Sequence, residues 1–182
     1  RCIGLAENAL AFGLGPAAPQ THLAHRLDDT KTGDIVETCA PACQIVGTIG
    51  QRIASQGGAA LIIDYGDWRS LGDTLQAVQD HKTTDPLAKP GMADLTAHVD
   101  FEALVRATAP CAHTRVTTQG VFLERIGITA RTTALAQSLS GAALETHIAA
   151  HRRLTHPQEM GNLFKVFGIV PNGAPLLSGL EI

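Results

Sequence analysis

The spacing of apolar positions changes several times along the chain, and each change marks an element. From Pro41 onward, Ile45, Val46, Ile49 and Ile53 recur at helical spacing, and a proline suits the first turn of a helix. Gln56-Gly57-Gly58 ends that helix. The run Ala59-Ala60-Leu61-Ile62-Ile63 follows at once, apolar and partly β-branched, and stops at Asp64-Tyr65-Gly66. A continuous apolar run after a helix and a Gly-rich turn predicts a buried parallel strand, with Ile62 and Ile63 both in the core.

On either side of this unit the pattern is weaker. Residues 1–15 mix short apolar runs around Glu7-Asn8 and predict two strands joined by a turn. Residues 16–34 carry Pro, Gly, Thr, His and Asp without periodicity, as an exposed loop would. Residues 67–97 hold Gly72, Pro86, Pro90 and Gly91 and predict a long irregular connection. Asp100 is placed to cap a short helix from Phe101 to Ala107. Val116 with Thr117-Thr118 suggests a further strand, which leads through Gly120 into Phe122-Leu123 and a turn near Gly127. Thr129 can cap a helix over residues 130–139. Ser140-Gly141 breaks it, and a second helix carries Leu144, Ile148 and Leu154. Leu163 to Val170 is a strong strand pattern ended by Pro171. Helices alternating with strands point to an α/β fold.

Composition narrows the function classes. With 182 residues, 45% hydrophobic and 17% charged, the chain can bury a core and is not of the disordered type. A net charge of -3 gives no basic surplus, which weighs against a nucleic-acid module. No apolar run approaches the roughly 20 residues of a membrane-spanning helix. Cys2, Cys39, Cys43 and Cys111 are sparse for a disulfide framework and are expected as reduced thiols. The chain opens on Arg1 rather than Met, so a true start is expected upstream.

Candidate chemistry is limited. Asp64, Tyr65 and Gly66 follow the apolar run, and ligands of open α/β sheets gather beyond the carboxyl ends of strands. An Asp that merely starts a turn would explain the same residues. His98 and Asp100 flank Val99 at the entrance to a helix. There Asp100 is explained as a cap, and a lone His is more often structural than catalytic. His147 and His151 have ligand spacing on a helix, but Ile148 stands where a zincin needs Glu, so no metal is assigned. There is no Gly-x-Ser-x-Gly and no phosphate-cradling loop, and Gly47 and Gly50 fall inside the first helix, where they allow close packing.

Five ordered blocks carry a resemblance: GGAALIIDYG (57–66), GDTLQAVQDH (72–81), PGMADLTAHVDF (90–101), TQGVFLERIGI (118–128) and MGNLFKV (160–166), together with GDIVETCAP (33–41). In order and spacing they resemble the MidA-type S-adenosylmethionine-dependent methyltransferases, a family that includes a mitochondrial complex I assembly factor. The match covers about residues 1–170. It implies the C-terminal part of a class I, Rossmann-like methyltransferase sheet with inserted elements, as one incomplete domain over 1–182. Ala59–Ile63 would be a central strand late in that sheet, and Leu163–Val170 part of its final hairpin.

The resemblance further implies S-adenosylmethionine as the cofactor of full-length members and a protein substrate. For the mitochondrial member that substrate is an arginine on a core subunit of respiratory complex I. The compartment would be the bacterial cytoplasm or the mitochondrial matrix. Members carry a Gly-rich loop, an acidic residue for the cofactor ribose and an Asn-Glu loop, all upstream of the matched region, and nothing in residues 1–56 replaces them. The chain is therefore expected to be a C-terminal remnant, inactive alone and without cofactor-binding residues of its own. Asp64, Tyr65, Gly66, His98 and Asp100 are its candidate substrate-binding residues, with Asp64, His98 and Asp100 to orient an acceptor guanidinium and 67–97 as an acceptor-facing cover, and no residue is assigned as catalytic. The competing expectations are a non-catalytic protein-interaction module and, less favoured, a zinc-binding module.

Overall fold

The first helix, α1 (Ala40–Gln56), begins with proline in its first turn and ends on Gly57 at φ 75°. It buries Val46, Gly50 and Ile53 while Ile45 stays exposed, so the inward stripe is narrower than its apolar residues suggest. Gly50 is needed there, because a Cβ would lie 2.5 Å from the Thr108 carbonyl oxygen. The structure, a computed structural model, describes residues 1–181. Its contacts gather into two units, Arg1–Glu37 with Leu71–His98, and Thr38–Ser70 with Val99–Ile182.

The larger unit is built on a mixed sheet. Strand β3 (Ala60–Asp67) and the last strand, β10 (Phe164–Val170), are antiparallel, with Ile63 opposite Val166 and Asp64 opposite Lys165. On its other edge β3 pairs in parallel with β7 (Val99–Asp100), and β10 also takes up β8 (Ala112–His113) and β9 (Thr117–Thr118). The parallel strand expected after α1 is thus mostly antiparallel in its pairing and runs four residues beyond Ile63.

Burial differs between these two strands. β10 is covered on both faces: Phe167 and Ile169 pack with Val46, Ile53, Phe101, Leu104 and Val105, while Val166 packs with Phe122 and Leu180. β3 contributes Ala60 and Ile62 to the first cluster, but Leu61 and Ile63 on the opposite face remain 42% and 44% exposed. Ile63 is therefore not the core residue that its apolar run predicts, since such a run reads the same for one-sided and two-sided burial.

Asp100 caps α2 (Phe101–Arg106), its side chain accepting a hydrogen bond from the Ala103 N–H. After β9 come α3 (Gln119–Arg125), α4 (Ile128–Ala136), α5 (Gly141–Thr155) and the single turn α6 (Met160–Leu163). Gly127, left-handed at φ 88°, is the N-cap of α4, and the expected cap Thr129 lies inside the helix. Gly120 and Gly161 let α3, the end of α5 and α6 meet through bare backbone. A Cβ on Gly120 would sit 2.5 Å from the Thr155 carbonyl oxygen, and one on Gly161 would overlap the same group.

The smaller unit holds the hairpin β1 (Cys2–Ala6) and β2 (Ala9–Gly13), turned by Glu7 and Asn8 at φ 52° and 64°. Residues 16–34, expected as loop, include a 3-10 helix at Thr21–Arg26. The segment 67–97, expected to be irregular, instead contains a small antiparallel sheet of β4 (Gln76–Gln79), β5 (Lys82–Thr84) and β6 (Asp94–Thr96). Asp80 and His81, both at positive φ, turn β4 into β5. All four cysteines are free thiols, and burial raises the pKa of Cys43 above its ordinary value. Among the described residues no helix is long and apolar enough to cross a membrane.

Candidate functional site

Of the five residues singled out in the sequence, four lie in the larger unit around the second half of β3. Asp64 is half-buried within the strand, not beyond its end, and its Oδ1 accepts the Tyr65 N–H at 2.8 Å. The Tyr65 ring meets Phe164 edge-on with centroids 5.5 Å apart. Gly66 is buried against β7, where a Cβ would lie 2.7 Å from the Val99 nitrogen, so glycine there serves the β3–β7 contact. Asp100 is brought to this end of the strand as the bridge partner of Asp67.

The Asp100 carboxylate is engaged on both oxygens. Oδ1 accepts the Ala103 N–H at 2.9 Å, and Oδ2 accepts the Ser70 N–H at 3.0 Å, so one side chain starts α2 and fixes the turn that leaves β3. Below that turn Glu102, 5% exposed, accepts from Arg69 Nε at 2.8 Å, Arg69 Nη2 at 3.0 Å and Arg106 Nη2 at 3.0 Å. Two guanidiniums with charge-assisted hydrogen bonds let this carboxylate stay buried. Local sequence shows nothing of it, because Arg69 is 33 residues upstream of Glu102.

His98 belongs to the smaller unit. Its backbone N–H donates to Thr74 Oγ1 at 2.8 Å. Glu37 accepts the Thr74 and Leu75 N–H groups, each at 3.0 Å, and also the Thr74 hydroxyl. The two histidines at ligand spacing, to which no metal is assigned, have other neighbours: His147 Nε2 lies 3.1 Å from the Thr132 carbonyl, and His151 Nε2 lies 3.1 Å from Thr129 Oγ1.

Where β3 ends, the larger unit opens a cleft of about 600 Å³ that the sequence did not reveal. Asp67 and Trp68 form one side, residues 113–118 another, with Val121 and Lys165 completing the lining. Asp67 Oδ1 accepts the Trp68 N–H at 2.7 Å. Lys165 Nζ donates to the carbonyls of Gly66 and Asn162, both at 2.8 Å. The β3 extension past Asp64 was the available signal, since it moves the strand's end from Asp64 to Asp67. Gln119 supports the far wall by donating from Nε2 to the Leu154 carbonyl at 2.9 Å, and Thr117-Thr118 lead directly into α3.

Comparison with known proteins decides the family. A family model described as a putative S-adenosyl-L-methionine-dependent methyltransferase matches residues 2–121. The chain belongs to that family. Relatives include the mitochondrial protein arginine methyltransferase NDUFAF7 of Rattus norvegicus, 36% identical over 165 residues, which cover 90% of this chain and 37% of the relative. The Homo sapiens protein of the same name is 36% identical over 168 residues, covering 91% and 38%. In structure the chain is similar to a COG1565 superfamily member and likely methyl transferase from Burkholderia thailandensis bound to S-adenosyl-homocysteine. The TM-score is 0.80 with 29% identity, over 97% of this chain and 48% of that one. The class I methyltransferase expectation for the fold stands on these likenesses, and the chain spans well under half the length of these curated relatives.

Proposed function

We propose that this chain is the acceptor-facing part of an S-adenosylmethionine-dependent protein arginine methyltransferase linked to respiratory complex I assembly, working in the mitochondrial matrix or the bacterial cytoplasm. The observation that carries the reading is the 36% identity, over about nine-tenths of the chain, to relatives named protein arginine methyltransferases. S-adenosylmethionine would supply the methyl group. The reaction forms a carbon–nitrogen bond to a guanidinium nitrogen, breaks the methyl–sulfur bond, and releases one proton from the acceptor.

The residues of this chain are suited to holding that acceptor. A guanidinium needs planar carboxylate partners and a defined position relative to the methyl group. Asp64 and Asp67 supply carboxylates near the end of β3, and the edge-on pair Tyr65–Phe164 stiffens the strand beside them. Asp100 acts through the turn at Ser70, so it is a positioning residue. His98 is a separate candidate of its own unit.

Two places near the end of β3 are closed to a cofactor among the described residues. The β7-to-α2 junction is closed by the Asp100 cap, and the space at Gly66 is filled by Val99. On this reading the cofactor is held by the remainder of the full-length protein, and this polypeptide alone is inactive. Two measurements test it. Titration of S-adenosylmethionine into the chain by calorimetry should give no micromolar binding, and such binding would place the cofactor site within these residues. A full-length version should transfer labelled methyl groups to arginine in complex I subunits, more slowly with Asp64→Asn or His98→Ala at unchanged stability. Label on another residue type, or none, would sink the arginine reading.

A second reading, a non-catalytic interaction module, draws on the β1–β2 hairpin, whose Ile3, Leu5 and Phe12 are 57%, 79% and 39% exposed. It predicts partner capture by the chain that is indifferent to S-adenosylmethionine.

A further inference from the structure

Resting on the methyltransferase reading above, we propose that the cleft at the end of β3 recognises an acidic segment of the protein substrate, with Arg115 and Lys165 as its carboxylate-binding groups. The cleft lining carries two permanent cations against one carboxylate, Asp67, although the chain as a whole has a net charge of -3. Neither cation is neutralised internally. Arg115 is exposed, with no hydrogen bond or ion pair from its guanidinium among the described residues. Lys165 is half-buried and holds only the backbone carbonyls of Gly66 and Asn162, which fix its ammonium in place and leave a third N–H. Asp64 stands directly across from Lys165 on β3, but its carboxylate turns to the Tyr65 N–H and forms no ion pair with the lysine.

The remaining lining suits a peptide. Trp68 and Val121, each 43% exposed, give an apolar floor, and Thr117 and Thr118 bring hydroxyl groups. Two cations are too few to follow a nucleic-acid backbone, which is bound by rows of them. They match one or two carboxylates beside an acceptor arginine, whose own guanidinium would find Asp67. An ammonium already held by two carbonyls loses little freedom on binding, so it can discriminate charge rather than merely attract it.

Trp68 is the only tryptophan of the chain, so its fluorescence reports on the cleft directly. The chain would be titrated at low salt with a ten-residue peptide bearing Asp and Glu around one Arg, and with its Asn and Gln counterpart. A saturable shift with the acidic peptide is expected, with about tenfold weaker binding of the neutral one, the usual scale for one charge-assisted hydrogen bond. Arg115→Gln should cost the acidic peptide about the same factor, and Arg115→Glu should abolish the preference. Equal binding of both peptides, no saturable shift, or competition by inorganic phosphate at the same concentration would overturn the proposal. The comparison of two peptides on the unaltered chain decides the matter even if a variant misfolds. Failure here would leave methyl transfer by the full-length protein untouched, and absent transfer would leave the peptide preference measurable.

Discussion

The two units of this chain are held together by different physics. In Thr38–Ser70 with Val99–Ile182, Val166, Phe167 and Ile169 are fully buried and both faces of β10 are covered. In Arg1–Glu37 with Leu71–His98, Ala77 and Arg26 are the buried side chains among the described residues, and polar contacts take the place of a core. Arg1 pairs with Asp73 through two hydrogen bonds, Arg26 with Asp29, and Glu37 holds the backbone of Thr74 and Leu75. Apolar burial sums many small contacts over each whole side chain, whereas a polar scaffold depends on individual groups. The difference implies that the smaller unit opens first.

The sharpest way to break that contrast is to empty the core of the larger unit. Phe167→Ala removes a fully buried ring that meets Phe101 edge-on at 6.1 Å, and should cost about 3–5 kcal/mol in a denaturation midpoint. A loss below about 1 kcal/mol would mean that β10 is not the centre of the core. Glu102→Gln comes next. It weakens the bonds to Arg69 and Arg106, which are themselves 36% and 51% exposed and can turn to water, so roughly 1–3 kcal/mol is expected. Fluorescence from Trp68 should change as well, because Arg69 follows it in the turn.

In the smaller unit, Glu37→Ala strips the acceptor from the Thr74 and Leu75 N–H groups. Faster hydrogen exchange at residues 72–76 is expected, with little change in α1 or β10. Uniform acceleration over both units would erase the distinction between them. Within β3 the same logic separates neighbours: Ile62→Ala should cost about 2 kcal/mol or more, and the half-exposed Ile63→Ala distinctly less. Smallest is the pH effect of the exposed Arg1–Asp73 pair. The Arg1 hydrogen bond holds Asp73 below its ordinary carboxylate pKa, so its contribution is present at neutral pH and is lost on acidification through that lowered value. Asp73→Asn should flatten that limb of the acid titration, and an unaltered titration would show that the pair contributes nothing.

Local signals in the sequence proved legible. Pro41, the spacing of Val46, Ile49 and Ile53, and Gly57 define α1, and Asp100 caps α2, because each depends on residues within a turn of one another. The β4–β6 sheet escaped notice because its strands are three or four residues long, rich in Gln, Thr and Lys, and turned by Asp80-His81 rather than by glycine. The exposed face of β3 escaped because an apolar run does not say how many layers cover it. At the site, Asp64 and Asp100 were visible as polar residues bounding apolar ones. Arg115 and Lys165 were not, since 50 residues separate them and the pairing of β8 and β9 with β10 brings them to one cleft. Glu102 hid for a related reason: in the first turn of a helix an acidic residue already has a reason to exist.

The backbone joint at Gly120, Gly161 and Thr155 has a mechanical consequence for the cleft. Thr118 lies two residues before Gly120, so the cleft wall is riveted to the junction of three helices with no side chain to act as a cushion. A wall fastened in this way cannot drift while the helices stay put. A ligand therefore meets a surface already in shape, and selectivity falls to the few groups that project from it. Even one added methyl group, as in Gly161→Ala, would act as a wedge against the Thr155 carbonyl and shift that wall from a distance, without touching anything the ligand touches.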